Sequence, residues 1–300
     1  MEVPEIRLKG FTKPWVQRKL GDILKVNSGK DYKHLNHGEI PVYGTGGYML
    51  SVDDSLSEED AVGIGRKGTI DKPQFLKAPF WTVDTLFFIT PKPNNDLRFL
   101  FALSQDIEWA KLDESTSIPS LSKTSIDNIL RYVPEFDEQT AIGNFFRALD
   151  ENITLHKQKL NGLKQLKKGY LQQMFPQTGE TIPRIRFEGF SEPWNKVKLD
   201  DIATITIGQS PDSVNYTENS NDHILVQGNA DIKNGWVTPR VWTTQVTKTA
   251  PKGCIIMSVR APVGDVAKTE YDIVLGRGVC GINGNEFLFQ TLGKMKEDGF

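Results

Sequence analysis

Three hundred residues with 38% hydrophobic content suffice for about two ordinary domains, and a formal net charge of −2 argues against a general polyanion binder. The start, MEVPEIRLKG, carries two acids and no apolar run, so no signal peptide is read there; LFFI and CIIM are too short to span a bilayer. Cys254 and Cys280 lack a C-x-x-C partner, so free thiols are expected, in a cytoplasmic protein with no membrane contact.

In chain order the first signal is PEIRLKGFTKPW from Pro4, which returns as PRIRFEGFSEPW from Pro183, an offset of 179 residues. Extended to Ile23 and Ile202, the match covers 20 positions, of which eleven are identical, including Arg7, Gly10, Phe11, Pro14 and Trp15. That offset is too long for a solenoid repeat of about 20–50 residues and fits a duplicated domain plus a connector. Trp15 and Trp194 read as buried packing residues. From residue 20 to about 135, β-rich runs (IPVYG, AVGIG, WTVDTLFFI) alternate with Gly/Asn/Asp/Pro turns, and the pattern predicts a helix over Leu97–Lys111.

A different texture runs from Glu138 to Phe175, without proline and bracketed by Pro134 and Pro176. Ile142, Phe146, Leu149, Ile153, His156, Leu160, Leu163, Lys167, Tyr170 and Met174 follow alternating steps of four and three, a heptad seam with two polar interruptions. One helix of this length spans roughly 57 Å at 1.5 Å per residue. Gly143, Gly162 and Gly169 weaken it by roughly 1 kcal/mol each against Ala, so the seam requires a partner helix. The expected helix-partner residues are Ile142, Phe146, Leu149, Ile153, Leu160, Leu163, Tyr170 and Met174. No acid occurs between Asn152 and Gly179, whereas Lys157, Lys159, Lys164, Lys167 and Lys168 do. A solvated helix face and attraction to phosphate both fit that run.

After Pro183 the β-rich texture resumes (ATITIGQSP, HILVQGNADIKNGWVTP, GCIIMSVRAPVGDVA), with loose echoes of the first unit. GRKGTIDKP resembles SVRAPVGDVAK in placing an Arg before a Gly-bearing turn, and FLFALSQDIEWAKL from Phe99 matches FLFQTLGKMKEDGF from Phe287. The expected fold class is α+β, with two β-rich mixed α/β domains, 1–135 and 177–300, joined by a long coiled-coil-forming helix, 136–176.

No catalytic constellation is read in the sequence. Gly63-x-Gly65-x-x-Gly68 fits a dinucleotide fingerprint, but Thr69-Ile70-Asp71-Lys72-Pro73 predicts a turn where that motif needs a helix N-terminus. His34 and His37 lack a cluster to complete a metal set. No G-x-S-x-G, H-E-x-x-H, P-loop or Asn-Pro-Pro-aromatic motif occurs, and Pro211-Asp212 lacks the E-x-K of a nuclease. The chain reads as a binder rather than a catalyst.

Two variable β-rich units, each opened by G-F-x-x-P-W, with a long basic helix between them, resemble the specificity subunit of type I restriction–modification systems. The most specific stretch is SIPSLSKTSIDNILRYVPEFDEQTAIGNFFRALDENITLHKQKLNGLKQLKKGYLQQMF, with its I-P-x-L-S turn, P-x-x-x-E-Q, F-F-x-x-L-D and K-x-x-L-Q-x-M-F; IPVYGTGGY and VRAPVGD resemble target-recognition motifs. The resemblance implies a non-catalytic subunit in which each recognition domain reads half of a split site on double-stranded DNA, and paired helices fix the spacing. It implies methylation and restriction subunits as partners, which use S-adenosylmethionine, ATP and Mg, with no cofactor bound by this chain itself. Base readout is then expected from loop residues: Lys30, Tyr32, Arg66, Lys67 and Lys72 in the first unit, and Gln209, Gln227, Asn229, Arg240, Arg260 and Arg277 in the second, with Arg66 and Arg260 foremost.

Against that family's pattern the second unit reads as roughly 63 residues short, without counterparts of SIPSLSK, EQTAIGNFF and the second helix. The expectations are a truncated specificity subunit, self-association through the central helix, or a non-functional allele. The rival from another class is a coiled-coil adaptor that binds proteins without DNA specificity.

Overall fold

The computed structural model describes residues 4–113 and 115–299, and the chain divides into two compact units, Met1–Gly162 and Leu163–Phe300. The first unit begins with β1 (Val16–Lys19), α1 (Leu20–Ile23), β2 (Leu24–Ser28), β3 (His37–Gly44), β4 (Gly47–Val52) and β5 (Ala61–Gly65). It continues with β6 (Gln74–Leu76), β7 (Trp81–Thr82), β8 (Leu86–Pro91), α2 (Leu97–Gln105), α3 (Lys123–Asp127), β9 (Leu130–Val133) and the start of α4 (Phe136–Met174).

Its main sheet has the order β2-β8-β5-β6, all antiparallel, and a smaller sheet has the order β4-β3-β7. The run Leu86-Phe87-Phe88-Ile89 is apolar throughout because both faces of its strand are covered. Phe87 and Ile89 join Val62, Ile64, Leu100 and Ile126 on the helix side, while Leu86 and Phe88 join Leu76, Val42 and Trp81 between the sheets. At roughly 1.5–3 kcal/mol for each large side chain buried, these two layers hold the unit together.

The helix predicted over Leu97–Lys111 ends at Gln105, and a 3-10 turn follows at Trp109–Leu112. The chain turns back because Ile107 and Trp109 bury against the core, with the Trp109 indole N–H donating to the Ser104 carbonyl at 2.8 Å. The Gly63–Gly68 pattern is the end of β5 and a turn, with Gly68 at φ 94° and no helix after it.

The second unit contains α5 (Leu199–Ile202), β10 (Thr204–Ile207), β11 (Tyr216–Thr217), β12 (His223–Val226), β13 (Ile232–Lys233) and β14 (Trp236–Val237). Then come β15 (Trp242–Thr243), β16 (Thr249–Ala250), β17 (Ile255–Ser258), β18 (Val266–Lys268), β19 (Ile273–Leu275), β20 (Val279–Asn283) and α6 (Glu286–Glu297). Its sheets are β10-β20-β17-β18-β14-β13 and β11-β15-β12-β19-β16. The β10-β20-β17-β18 block repeats β2-β8-β5-β6. The parallel β12-β19 pair likewise repeats the parallel β3-β7 pair. The same two-layer logic holds: Ile255, Cys280 and Ile282 face α6, and Ile256, Val279 and Leu275 fill the space between the sheets.

α4 is one helix of 39 residues, starting two residues before the predicted Glu138. Asp137 and Glu138 in its first turn complement the helix dipole. Phe146, Leu149, Ile153, Leu160, Leu163 and Tyr170 remain between 43% and 54% exposed, as an unpaired seam would be. Two residues differ from the rest of the predicted seam: Ile142 packs on the core of the first unit, and Met174 is half-buried beside the aromatic cluster of Phe175, Trp194 and Phe287 in the second.

Candidate functional site

In each unit the loops beyond the C-terminal ends of the first and third ladder strands are held together by main-chain bonds. Ser28 pairs with Phe87 and Gly65 with Leu86; in the second unit Ile207 pairs with Cys280 and Ser258 with Val279. This register makes Gly29 equivalent to Gly208, Lys30 to Gln209 and Lys67 to Arg260. The echo between GRKG and SVRAP is therefore displaced by one residue: Arg260 corresponds to Lys67, and Arg66 corresponds to Val259. The bonds Arg66 N–H to Thr85 O at 2.8 Å and Val259 N–H to Gly278 O at 2.9 Å confirm the register.

In the first unit Gly29 N–H donates to Leu86 O at 3.2 Å and Lys30 N–H to Thr82 O at 2.9 Å. The Trp81 indole N–H donates to Lys30 O at 2.9 Å, which fixes the backbone and leaves the lysine side chain exposed. The β3–β4 turn joins through Val83 N–H to Tyr43 O at 3.1 Å, and the Ile118-Pro119 turn through Gly68 N–H to Pro119 O at 2.8 Å. The Arg66 guanidinium donates to Asp84 O at 3.3 Å and lies 5.6 Å from the Phe87 ring centroid, so its own loop orients it. Lys30, Arg66 and Lys67 thus project from one loop cluster; Lys72 lies farther along the Arg66–Gln74 loop, and Tyr32 packs on the inter-sheet core.

In the second unit Gln209 N–H donates to Leu275 O at 2.8 Å, Gly276 N–H to Val226 O at 2.7 Å, and Arg277 N–H to Ser210 Oγ at 3.1 Å. Asp231, buried, organises the adjoining turn: it accepts from Gln227 N–H at 2.7 Å, Gly228 N–H at 3.2 Å and Arg240 Nε at 2.8 Å. Arg240 is thereby held by a carboxylate, and the Gln227 amide donates to the Tyr216 hydroxyl at 2.9 Å. Asn229 lies in the 3-10 turn that Asp231 closes. Ser258 fastens the V-R-A-P-V-G-D turn, donating to Pro262 O and accepting from Asp265 N–H, both at 2.9 Å. Arg260 and Arg277 are exposed. Among the described residues, the side chains of Lys30, Lys67, Lys72, Arg260 and Arg277 have no ion-pair partner.

Sequence reasoning passed over Asp231 and Ser258, which touch only neighbouring loop atoms and carry no motif. It also passed over Arg7, although Arg7 is one of the positions repeated identically. Arg7 makes a bidentate pair with Glu138 at 2.7 and 2.6 Å, which joins the opening segment to the start of α4 and raises the guanidinium pKa through that hydrogen bond. Trp15 lies edge-on to Phe99 and Trp194 edge-on to Phe287, so both pack against aromatic neighbours, but each is half-buried rather than buried as expected. Among the described residues no group of His, Cys, Asp and Glu could hold a metal ion, and no helix is long and apolar enough to cross a membrane.

The family described as "Type I restriction modification DNA specificity domain" matches residues 12–165, just over half of the chain. The chain is 27% identical over 188 residues to the putative type I restriction enzyme MjaX specificity subunit of Methanocaldococcus jannaschii, covering 59% of this chain and 44% of that relative. It therefore spans less than half the length of that relative. The crystal structure of a type I restriction–modification system S subunit from M. genitalium superposes with a TM-score of 0.71 at 15% identity, over 99% of this chain and 81% of that one, and shows the same fold. The repeated recognition-type units, the long helix that follows the first of them and the family match across that region place this chain in the type I restriction modification DNA specificity domain family.

Proposed function

We propose that the chain reads DNA sequence for a type I restriction–modification complex, each unit presenting one loop cluster to one part of a split site, without catalysing a reaction itself. The observation that carries this reading is the register-equivalent display of Lys30 and Lys67 in one unit and Gln209 and Arg260 in the other. The backbones of Lys30, Lys67 and Gln209 are held by main-chain bonds, Arg260 follows Val259, which is held in the same way, and among the described residues the four exposed side chains have no hydrogen-bond or ion-pair partner. Such side chains suit base edges: Lys and Arg donate to guanine O6 and N7, and Gln pairs bidentately with adenine. The near-neutral net charge fits a division of labour in which base contacts specify and the methylation and restriction subunits supply much of the phosphate contact. S-adenosylmethionine, ATP and Mg then belong to those partners, and the complex works in the cytoplasm.

The test combines the chain with its methylation subunit, labelled S-adenosylmethionine and mixed-sequence DNA, and maps the modified adenines. Incorporation at a defined motif, moved or lost with Lys67→Ala or Arg260→Ala, is the expected result. The exposed seam of α4 favours a second reading, a protein adaptor. An adaptor would show no DNA affinity falling steeply with salt and no motif-specific methylation, and that pair of results would replace the first reading.

A further inference from the structure

At the centre of each loop cluster lies one β-turn, Val83-Asp84-Thr85-Leu86 between β7 and β8 in the first unit and Gly276-Arg277-Gly278-Val279 between β19 and β20 in the second. The turns close alike, by Leu86 N–H to Val83 O at 2.9 Å and by Val279 N–H to Gly276 O at 3.2 Å. Three neighbouring segments hold both of them. Val83 N–H donates to Tyr43 O at 3.1 Å, as Gly276 N–H donates to Val226 O at 2.7 Å. Leu86 O accepts from Gly29 N–H at 3.2 Å, as Val279 O accepts from Gly208 N–H at 3.1 Å. Thr85 O accepts from Arg66 N–H at 2.8 Å, as Gly278 O accepts from Val259 N–H at 2.9 Å.

This register makes Asp84 the equivalent of Arg277. Each is the first central residue of its turn, with bonded backbone on both sides and an exposed side chain. The sequence hides the match, because VDTL and GRGV share no identical position.

The charge setting of Asp84 is the second observation. Lys30, Arg66 and Lys67 project from the same cluster, yet among the described residues the Asp84 carboxylate has no ion-pair or hydrogen-bond partner. Arg66 is held instead by the Asp84 carbonyl, at 3.3 Å, and by the Phe87 ring. An exposed carboxylate repels phosphate, so on DNA its partner is a hydrogen-bond donor. In the major groove the base donors are the exocyclic amino groups, cytosine N4 and adenine N6. Adenine sets the N7 acceptor beside its amino group, and an ionised carboxylate has no proton to offer N7. Cytosine presents the donor alone. Arg, which only donates, has the opposite character and matches the two acceptors of guanine.

We propose that Asp84 is a specificity-determining residue of the first unit, its carboxylate accepting from cytosine N4 in the major groove, as Arg277 at the equivalent place in the second unit donates to guanine. The inference rests on the DNA-reading function and adds to it the base that one position reads. One place in the duplicated scaffold then meets a G·C pair from either side, according to whether it carries an acceptor or a donor.

The test maps modified adenines for the chain with its methylation subunit, comparing the parent with Asp84→Ala and Asp84→Arg. The parent motif should contain a G·C pair at which Asp84→Ala lowers discrimination about tenfold or more. Asp84→Arg should require that same pair inverted, with guanine where cytosine stood. Hydrogen exchange in β2 and β8 should match the parent in both variants, since the Asp84 side chain supports nothing among the described residues. If Asp84→Arg opens those strands, Asp84→Ala decides alone: relaxation at a single G·C pair supports the proposal, and an unchanged motif overturns it. A motif unchanged in both variants, a change at an A·T pair instead, or methylation lost at every sequence with protection kept also overturns it, while the parent motif leaves the DNA reading standing. A parent that methylates no defined motif removes that reading, and this proposal with it.

Discussion

Replacing Gly29 by Ala tests how the first loop cluster is positioned. A Cβ there would lie 2.0 Å from Val83 O and 2.6 Å from Thr82 O, both backbone atoms that no side-chain rotation can move aside. Reaching ordinary contact near 3.4 Å requires the end of β2 and the connection from β7 to β8 to part by roughly 1.4 Å. Two bonds cross that gap, Gly29 N–H to Leu86 O at 3.2 Å and Lys30 N–H to Thr82 O at 2.9 Å, and neither survives such a separation. At about 0.5–1.5 kcal/mol for each bond and about 1–3 kcal/mol for overpacking, the local cost is about 2–6 kcal/mol. A chain of two units need not unfold in one two-state step, so the assay is hydrogen exchange resolved to β2 and β8. Opening there should rise at least about 25-fold, with the second unit unchanged. Gly208→Ala, whose Cβ would lie 2.1 Å from Gly276 O, should do the same to β10 and β20 alone. Gly162→Ala, with nothing within 4 Å, should instead stabilise α4 by up to about 1 kcal/mol. If exchange in β2 and β8 of Gly29→Ala stays within about twofold of the parent, the loop is not held by backbone contact and the reasoning fails.

Asp231→Ala should loosen residues 223–232 by roughly 2–4 kcal/mol, since two main-chain donors and Arg240 lose their acceptor; exchange protection of that segment measures it. Burial raises the thiol pKa of both Cys254 and Cys280, so a disulfide reagent at neutral pH should label neither in the native chain and both after unfolding. The hydrogen bond from Lys268, helped by Gln290, holds the Glu286 carboxyl below the usual carboxylate range. A depressed folded pKa means that the pair contributes fully above the unfolded value of about 4.3 and loses its contribution as pH falls through the folded value. Protection of α6 should therefore drop in the parent as pH falls below about 4.3, and Glu286→Gln should flatten that step.

Much of this architecture is legible in the sequence because it rests on local or repeated signals. The heptad run forecast α4 within two residues of its start, and the apolar LFFI and CIIM runs are strands covered on both faces. Legibility fails where tertiary contact decides. The end of α2 depends on Trp109 reaching back to Ser104, and helix periodicity carries no trace of that bond. Ile142 fits the heptad seam, yet the core of the first unit takes it. Equivalences between the units shifted by one residue at Arg66 and at Phe99, which the helix caps Asp96 and Asn285 align with Leu288, because insertions between repeats erase alignment and only the ladder pairs and helix caps restore it. Arg240 reads as a free loop cation until Asp231, nine residues away, is seen to hold it.

The two loop clusters are positioned mainly through main-chain bonds and glycine contacts, and the residues they display are largely independent of that support. Lys30 and Gln209 occupy the same place after the same glycine, and neither side chain has a hydrogen-bond partner among the described residues. Their backbone groups are used: Lys30 O accepts from Trp81, and Gln209 O accepts from Thr247 Oγ1 at 2.5 Å. Exchanging the residues, as Lys30→Gln or Gln209→Lys, therefore leaves every bond of the scaffold in place. The expected stability change is within about 0.5 kcal/mol, as for an exposed substitution away from caps and cores. Exchange protection of β10 and β20 in Gln209→Lys should match the parent, in contrast to Gly208→Ala one residue earlier. If Gln209→Lys opened those strands, the side chain would be part of the support and could not vary without cost. If protection is kept while the modified motif moves from an adenine contact toward a guanine contact, position and readout are separable at this site. A duplicated scaffold could then change what it reads one exposed residue at a time.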